Sequence, residues 1–207
     1  MKYRYLFALF FLVAWLPAFG QYTFQQLDNS AGLSNSCINA IYHDSDDLVW
    51  FGTWDGLNFY DGSNIHVFNY ERRDLKRNTI ASNVIYQLQE DKKRNIWIGT
   101  VEGLSKFNKN TGDFSNYFYT RKKAVSNGYT VAINSRGEVY AARRNSSQLY
   151  LYNERQNQFE RTGIQKLPDF TLLKIFFDDE NHLWLLKDNG KLEAFKRTGN
   201  SFVKLDG

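Results

Sequence analysis

Residues 48–57 read LVWFGTWDGL, and residues 95–104 read NIWIGTVEGL. The two segments share a Trp-x-Gly-Thr-x-x-Gly-Leu core, and Trp97 follows Trp50 by 47 residues. Two weaker copies follow at nearly the same period, with Tyr140 and Trp184 in the tryptophan position. A period of about 45 residues is typical of repeat architectures such as propellers. The repeat therefore indicates a propeller-like fold independently of the role of any single residue.

Each repeat contains four short stretches with the alternating apolar pattern of β-strands, separated by polar turns. Aromatic residues make up 17% of the chain and there are only two prolines, which favours strands over helices. We therefore predict an all-β chain that folds as a β-propeller of four-stranded antiparallel blades. The blades are expected over about 36–70, 83–118, 128–161 and 170–205.

The N-terminus has the features of an export signal. Lys2 and Arg4 precede an apolar run over 5–16, and small residues stand at Ala18 and Gly20. We predict a signal peptide over 1–20, cleavage after Gly20, and a periplasmic location. The alternative is a membrane anchor, but the apolar run is short for a span.

One predicted strand does not belong to any of the four predicted blades. Residues 22–27 resemble the fourth strand of a blade, and in closed propellers such an N-terminal strand completes the last blade. The last blade predicted here, 170–205, already has a fourth strand of its own. We therefore expect about four blades of a larger, incomplete ring. The alternatives are a complete four-bladed ring and a dimer that closes across two chains.

Most residues of the repeated motif have an architectural explanation. The large indoles suit the gap between neighbouring blades. Gly56 and Gly103 are expected to supply a positive φ in the turn after the second strand, and the threonines to bond that turn. The structural motif residues are Trp50, Gly52, Thr53, Gly56, Trp97, Gly99, Thr100, Gly103 and Trp184.

The sequence predicts no catalytic residues, no metal site and no cofactor. Of the three histidines His43, His66 and His182, no two have metal-ligand spacing. Asp44 begins a segment like a calcium loop, but Val49 stands where that loop requires glycine. No phosphate loop or nucleophile elbow is present.

Charge is distributed unevenly although its sum is small. Without residues 1–20 the chain has 24 basic and 22 acidic residues, too small an excess to predict nucleic acid contact. Basic residues concentrate in the blade connections and second-to-third strand turns, which share one face of a propeller. We expect an anionic oligosaccharide on that face, such as a uronic-acid or sulfated glycan; the alternative is ordinary solvated loops. The candidate ligand residues are Trp54, Arg72, Arg73, Tyr129, Arg143 and Arg144.

Residues 32–62 resemble the two-component regulator propeller repeat very closely, through GLSN at 32–35 and the segment LVWFGTWDGLNFYDG at 48–62. Residues 83–108 resemble it nearly as well. The third and fourth repeats depart from it, because Tyr140-Ala141-Ala142 and Trp184-Leu185-Leu186 replace the Trp-x-Gly pattern.

The resemblance implies a role in signalling. In that family, found largely in Bacteroidetes, such repeats build seven-bladed propellers in the periplasmic sensor of hybrid two-component histidine kinases. Many members sense oligosaccharides and control glycan-utilisation genes. The resemblance thus implies an oligosaccharide ligand, a missing remainder of the same polypeptide that would carry the kinase, and a homodimeric receptor. The alternative is a stand-alone secreted propeller, either a protein-interaction scaffold or a lyase.

Overall fold

The computed structural model describes Phe24 and residues 26–70, 78–118, 128–144, 148–162, 172–199 and 201–205. In these residues the chain forms four separate four-stranded antiparallel sheets and one short 3₁₀ turn at Asn29–Ala31. Each sheet uses consecutive strands in the order of the chain, which is the topology of propeller blades. The predicted all-β propeller fold is confirmed, and the blades are numbered 1 to 4 below.

Each blade is a meander of four strands. In blade 1 the strands are β1 Ile38–His43, β2 Val49–Thr53, β3 Gly56–Tyr60 and β4 Ile65–Phe68. In blade 2 they are β5 Ile85–Glu90, β6 Asn95–Thr100, β7 Leu104–Asn108 and β8 Asp113–Tyr117. In blade 3 they are β9 Tyr129–Ile133, β10 Val139–Arg143, β11 Leu149–Asn153 and β12 Gln158–Arg161. In blade 4 they are β13 Leu172–Phe177, β14 Leu183–Lys187, β15 Leu192–Thr198 and β16 Ser201–Lys204.

The first strand of each blade lies innermost, because β1, β5, β9 and β13 contact one another in series. The four blades therefore form an arc around a common axis. Two sides of this arc are distinguished below. The connection side carries the turns between second and third strands and the ends of the blade connections. The turn side carries the turns between first and second strands.

Large aromatic side chains hold neighbouring blades together. Trp50 packs against Phe107 of blade 2, with ring centroids 5.7 Å apart. Trp97 packs against Tyr152 of blade 3 at 4.9 Å. Both indoles are fully buried, so each motif tryptophan stabilises the contact with the following blade.

The motif glycines allow neighbouring blades to approach closely. A Cβ added to Gly99 would lie 2.5 Å from the backbone carbonyl oxygen of Tyr129 in blade 3, and one added to Gly52 would lie 2.5 Å from Ile85 of blade 2. No ordinary side chain fits at those separations. The glycine that follows each motif tryptophan by two residues is therefore required by packing between blades.

The turns after β2 and β6 are closed by the motif threonines. Thr53 and Thr100 donate their hydroxyls to the carbonyls of Gly56 and Gly103, at 2.9 and 2.8 Å. Gly56 has a φ of 128°, which a side chain would strain. Gly103 departs from the expectation, because it is not among the described glycines with a positive φ. In blade 2 the backbone N–H of Thr100 also donates to the Gly103 carbonyl, at 3.0 Å.

A carboxylate six residues before each motif tryptophan orders the turn side. The indole N–H groups of Trp50, Trp97 and Trp184 donate to the aspartate at that position, at 2.7 to 2.8 Å (Asp44, Asp91 and Asp178 respectively). The same aspartates accept backbone N–H groups of their own turns. One residue thus connects the turn to the core side chain.

Several predictions concern residues outside the described part of the chain. The signal peptide over 1–20 lies wholly outside it. Of the strand expected over 22–27, residues 22, 23 and 25 are outside, and Phe24 is 94% exposed. Both stay predictions. No helix in the described ranges is long and apolar enough to span a membrane.

Candidate ligand-binding rim

The connection side carries an exposed tryptophan that is held in place. Trp54 is 60% exposed, yet its indole N–H donates to Asn39 Oδ1 at 3.0 Å and its backbone N–H donates to the Cys37 carbonyl. Asn39 in turn donates to the Ile85 carbonyl of blade 2 at 2.9 Å. An exposed but oriented indole presents a flat apolar surface to solvent.

Arg144 of blade 3 lies on the same side. Its guanidinium stacks over the ring of Tyr86 from blade 2, with 4.2 Å between the guanidinium carbon and the ring centroid. A Cβ at Gly128 would come within 3.1 Å of the Arg144 side chain and within 2.7 Å of Tyr86. Glycine at position 128 therefore leaves room for the stacked pair.

The contacts of Trp54 and Arg144 form one rim across blades 1 to 3. Asn39 joins Trp54 to Ile85, and the next residue in the chain is Tyr86, under Arg144. We call this set, Asn39, Trp54, Tyr86 and Arg144, the connection rim. It joins a flat apolar surface to a delocalised cation, which suits a ligand with sugar rings and an anionic group.

Two other candidates lie deeper. Arg143 is half-buried at the end of β10 and pairs in register with Tyr129 of β9. Tyr129 is only 8% exposed, and its ring stacks on Phe118 at 5.0 Å with a 7° interplanar angle. Burial raises the pKa of its phenol. Because Tyr129 packs within the protein, it does not offer the stacking surface expected from the sequence.

Arg72 and Arg73 lie outside the described residues, as do most basic residues of the blade connections. Cys37 is exposed next to the rim. The hydrogen bonds from Trp54 to Asn39 and from Asn39 to Ile85, and the stacking of Arg144 on Tyr86, were not anticipated. The strand pairing is irregular at the second residue of β1 and of β5, which are Asn39 and Tyr86. Nothing in the sequence predicts this irregularity.

The turn side contains a converging group of carboxylates. Oxygens of Asp44, Asp46 and Glu90 lie within 4.8 Å of one another, a geometry that could hold a cation. The Lys109 ammonium occupies this position, 2.9 Å from Asp44 and 2.7 Å from Asp46, and also contacts Glu90. The group therefore joins blades 1 and 2 as a salt bridge network.

These features define a β-propeller with two intact repeats of a recognisable type. Residues 32–55 and 79–102 match the family described as "Two component regulator propeller". The resemblance drawn from the sequence is confirmed, and the chain carries two copies of this repeat. The chain is also 29% identical, over 47% of its length, to Histidine kinase P4 of Formosa agariphila.

Solved structures share the fold. The extracellular domain assigned to the hybrid two component system BT3049 of B. thetaiotaomicron superposes with a TM-score of 0.73 at 21% identity, over 90% of this chain and 27% of that one. Virginiamycin B lyase from Staphylococcus aureus superposes with a TM-score of 0.58 at 14% identity, over 84% of this chain and 60% of that one. At such identities these likenesses establish the fold alone.

The chain spans only a small part of two of the proteins to which it is similar. It spans 10% of the histidine kinase and 27% of the BT3049 domain. The activities and partners of those complete proteins therefore enter below only as proposals.

Proposed function

We propose that this chain is an extracytoplasmic ligand-sensing β-propeller of a two-component receptor, and that its ligand is an oligosaccharide. The observation that carries the proposal is the connection rim, where Trp54 is 60% exposed but fixed by Asn39. The two matched repeats and the likeness to an extracellular domain of a two-component system support the sensor role.

The rim favours a ligand that has both sugar rings and a negative charge. The Trp54 indole can stack on the apolar face of a sugar ring. The planar guanidinium of Arg144 can bind a carboxylate or sulfate through two parallel hydrogen bonds. The Nε of Arg144 is buried and has no hydrogen bond partner in the described part of the chain. A ligand would therefore bind the other N–H groups of the guanidinium. A uronic-acid or sulfated glycan combines both requirements.

Signalling would follow from a shift in population. A ligand that binds one arrangement of two receptor subunits more tightly shifts the equilibrium toward that arrangement. We infer a periplasmic propeller exported by a cleaved signal peptide, a homodimeric receptor, and a kinase in the remainder of the polypeptide. The regulated genes would be those for glycan utilisation.

Ligand binding can be followed at Cys37, the single cysteine of residues 1–207, which is exposed beside the rim; any cysteine outside this range is replaced by serine. The full-length protein, labelled there with an environment-sensitive fluorophore, is titrated with acidic oligosaccharides and their neutral counterparts. We expect saturable responses to acidic ligands only. The W54A and R144Q variants should each weaken binding about tenfold or more. Val203→Ala, which alters an exposed apolar residue on outer strand β16, should have no effect.

Two results would contradict the proposal. Equal responses to neutral and acidic oligosaccharides would show that the basic groups do not select the ligand. Unchanged affinity in both W54A and R144Q would remove the rim. The variant R72Q/R73Q tests the two predicted arginines outside the described residues, and we expect it to weaken acidic ligands further.

The cellular context is tested by fractionation. An antibody against residues 21–207 should detect a protein far larger than 24.3 kDa in the inner-membrane fraction. A small soluble periplasmic band would instead favour the stand-alone secreted propeller.

A further inference from the structure

A second concave site lies on the opposite side of the arc from the connection rim. The turn-side ends of the inner strands of all four blades border an open cup of about 390 Å³. Its volume lies in the range of small-molecule sites. The residues used in the argument below are Tyr42, Gln89, Lys92, Ile133, Phe177 and Asp179, and we call this site the axial cup.

The floor of the axial cup contains an unsatisfied acceptor. Gln89 Oε1 is buried and has no hydrogen bond partner among the described residues. Two residues earlier on the same strand, Gln87 crosses the axis: its amide accepts from Thr130 of blade 3 and donates to the Ile175 carbonyl of blade 4 at 3.3 Å. The Gln87 side-chain carbonyl therefore has donors, whereas the Gln89 side-chain carbonyl has none among the described residues. A buried acceptor without a donor is costly, which favours a ligand that supplies one.

Opposite charges line the cup without pairing. Lys92 extends from blade 2 over Gly137 of blade 3, where a Cβ would lie 3.0 Å from the lysine Cδ. Asp179 belongs to the first turn of blade 4. Neither side chain forms an ion pair within 4.0 Å among the described residues, and both are exposed. The other carboxylates of the wall are already used: Glu90 binds Lys109, and Asp178 binds its own turn and Trp184.

The remaining wall combines three large apolar or aromatic side chains with the polar residues Asn134 and Ser135. Tyr42, Ile133 and Phe177 border the cup from blades 1, 3 and 4. Burial raises the pKa of Tyr42, so its phenol stays neutral at physiological pH. A ligand in this space would therefore meet apolar surface between two opposite charges.

We propose that the axial cup binds a free α-amino acid with an apolar side chain. The ammonium would donate to Gln89 Oε1 and Asp179, the carboxylate would pair with Lys92, and the side chain would contact Tyr42, Ile133 and Phe177. This ligand satisfies each unpartnered group of the cup at once. The proposal does not rest on the connection rim, because the two sites lie on opposite sides of the arc.

The test compares L-leucine with two analogues that each lack one charge: leucinamide, without the carboxylate, and 4-methylpentanoate, without the ammonium. Binding to the full-length protein is measured by isothermal titration or saturation-transfer NMR. We expect L-leucine to bind and each analogue to bind at least about tenfold more weakly. Lys92→Met should abolish the preference for L-leucine over leucinamide, and Asp179→Asn the preference over 4-methylpentanoate.

Gln89→Leu provides an independent check. It removes the unpartnered acceptor at nearly constant volume, so it should weaken L-leucine binding while leaving the melting temperature unchanged or raised. Lys196→Met, which replaces an exposed lysine of β15, is the matched control for Lys92→Met and should bind like the wild type. Equal binding of all three ligands, no response to L-leucine at millimolar concentration, or unchanged binding in Gln89→Leu would each overturn the proposal.

Discussion

Replacing Lys109 by methionine should cost far more stability than replacing a surface lysine on the same side. The Lys109 side chain is 9% exposed and contacts Asp44, Asp46 and Glu90, of which Asp44 and Glu90 are 0% and 7% exposed. Methionine keeps the length of the aliphatic chain but leaves three carboxylates together without their shared cation. Removing one partner of a buried ionic group costs about 3–5 kcal/mol. We therefore expect a loss of that size in the free energy of unfolding.

The matched control is Lys93→Met. Lys93 pairs with Glu154 of blade 3, but both side chains are well exposed, at 65% and 60%. Exposed pairs contribute about 0–1 kcal/mol. Denaturant unfolding of wild type and both variants, monitored by tryptophan fluorescence, gives the comparison. Losses that agree within about 0.5 kcal/mol would refute the view that the Lys109 network holds blades 1 and 2 together.

A cation should partly replace the missing lysine. The three carboxylate oxygens lie within 4.8 Å of one another, and oxygen ligands suit Ca²⁺. We expect millimolar Ca²⁺ to raise the melting temperature of Lys109→Met and to leave the wild type unchanged, because bound ligand stabilises only the form with a site. Equal shifts in both proteins would argue against the site geometry.

Three further predictions follow from contacts between blades. Gly99→Ala should lose more unfolding free energy than Gly52→Ala, by about 1–3 kcal/mol in denaturant unfolding, because its Cβ would meet the fixed backbone of Tyr129 rather than a side chain. Desolvation, with the nearby Glu138 charge, raises the pKa of Tyr140 to about 12, so wild-type stability should fall between about pH 10 and 12. Tyr140→Phe should reduce this dependence in pH-resolved melts, and part of what remains comes from Tyr42 and Tyr129, whose pKa values burial also raises. If a further blade covers Trp184, which is half-exposed here, its indole should be shielded from acrylamide. The Trp184→Phe variant should then have the same amplitude of acrylamide-accessible fluorescence as the wild type.

The fold was predictable because it repeats. The 47-residue spacing of Trp50 and Trp97 and the alternating strands determine four-stranded blades, and periodicity needs no knowledge of contacts. The connection rim was only half predictable. Trp54 and Arg144 could be assigned to one side from the strand order, whereas the burial of Tyr129 depends on Phe118, which follows β8 of the preceding blade. The Lys109 network is similarly non-local, since its carboxylates come from two blades.

Blade 3 illustrates why a degenerate repeat can keep the fold. Tyr140 replaces the motif tryptophan, and Asn134 replaces the aspartate that would accept an indole N–H. The Tyr140 hydroxyl instead lies 3.0 Å from Arg197 of blade 4, whose guanidinium also contacts both carboxylate oxygens of Glu138 at 2.7 Å. In blade 3 the indole–carboxylate hydrogen bond, which lies within one blade elsewhere, is thus replaced by a hydrogen bond network between blades 3 and 4.

This exchange predicts coupling between the two substituted positions. Tyr140→Trp alone would bury an indole N–H beside Asn134. The Oδ1 of Asn134 already accepts two backbone N–H groups of the turn, so we expect the free energy of unfolding to fall by about 1–3 kcal/mol. Adding Asn134→Asp restores the carboxylate found in the other three blades, so the double variant should recover part of that loss. A double-mutant cycle in denaturant measures the coupling energy directly. Strictly additive losses would mean that the indole–carboxylate bond does not govern the turn, and that the aspartate serves only its own backbone.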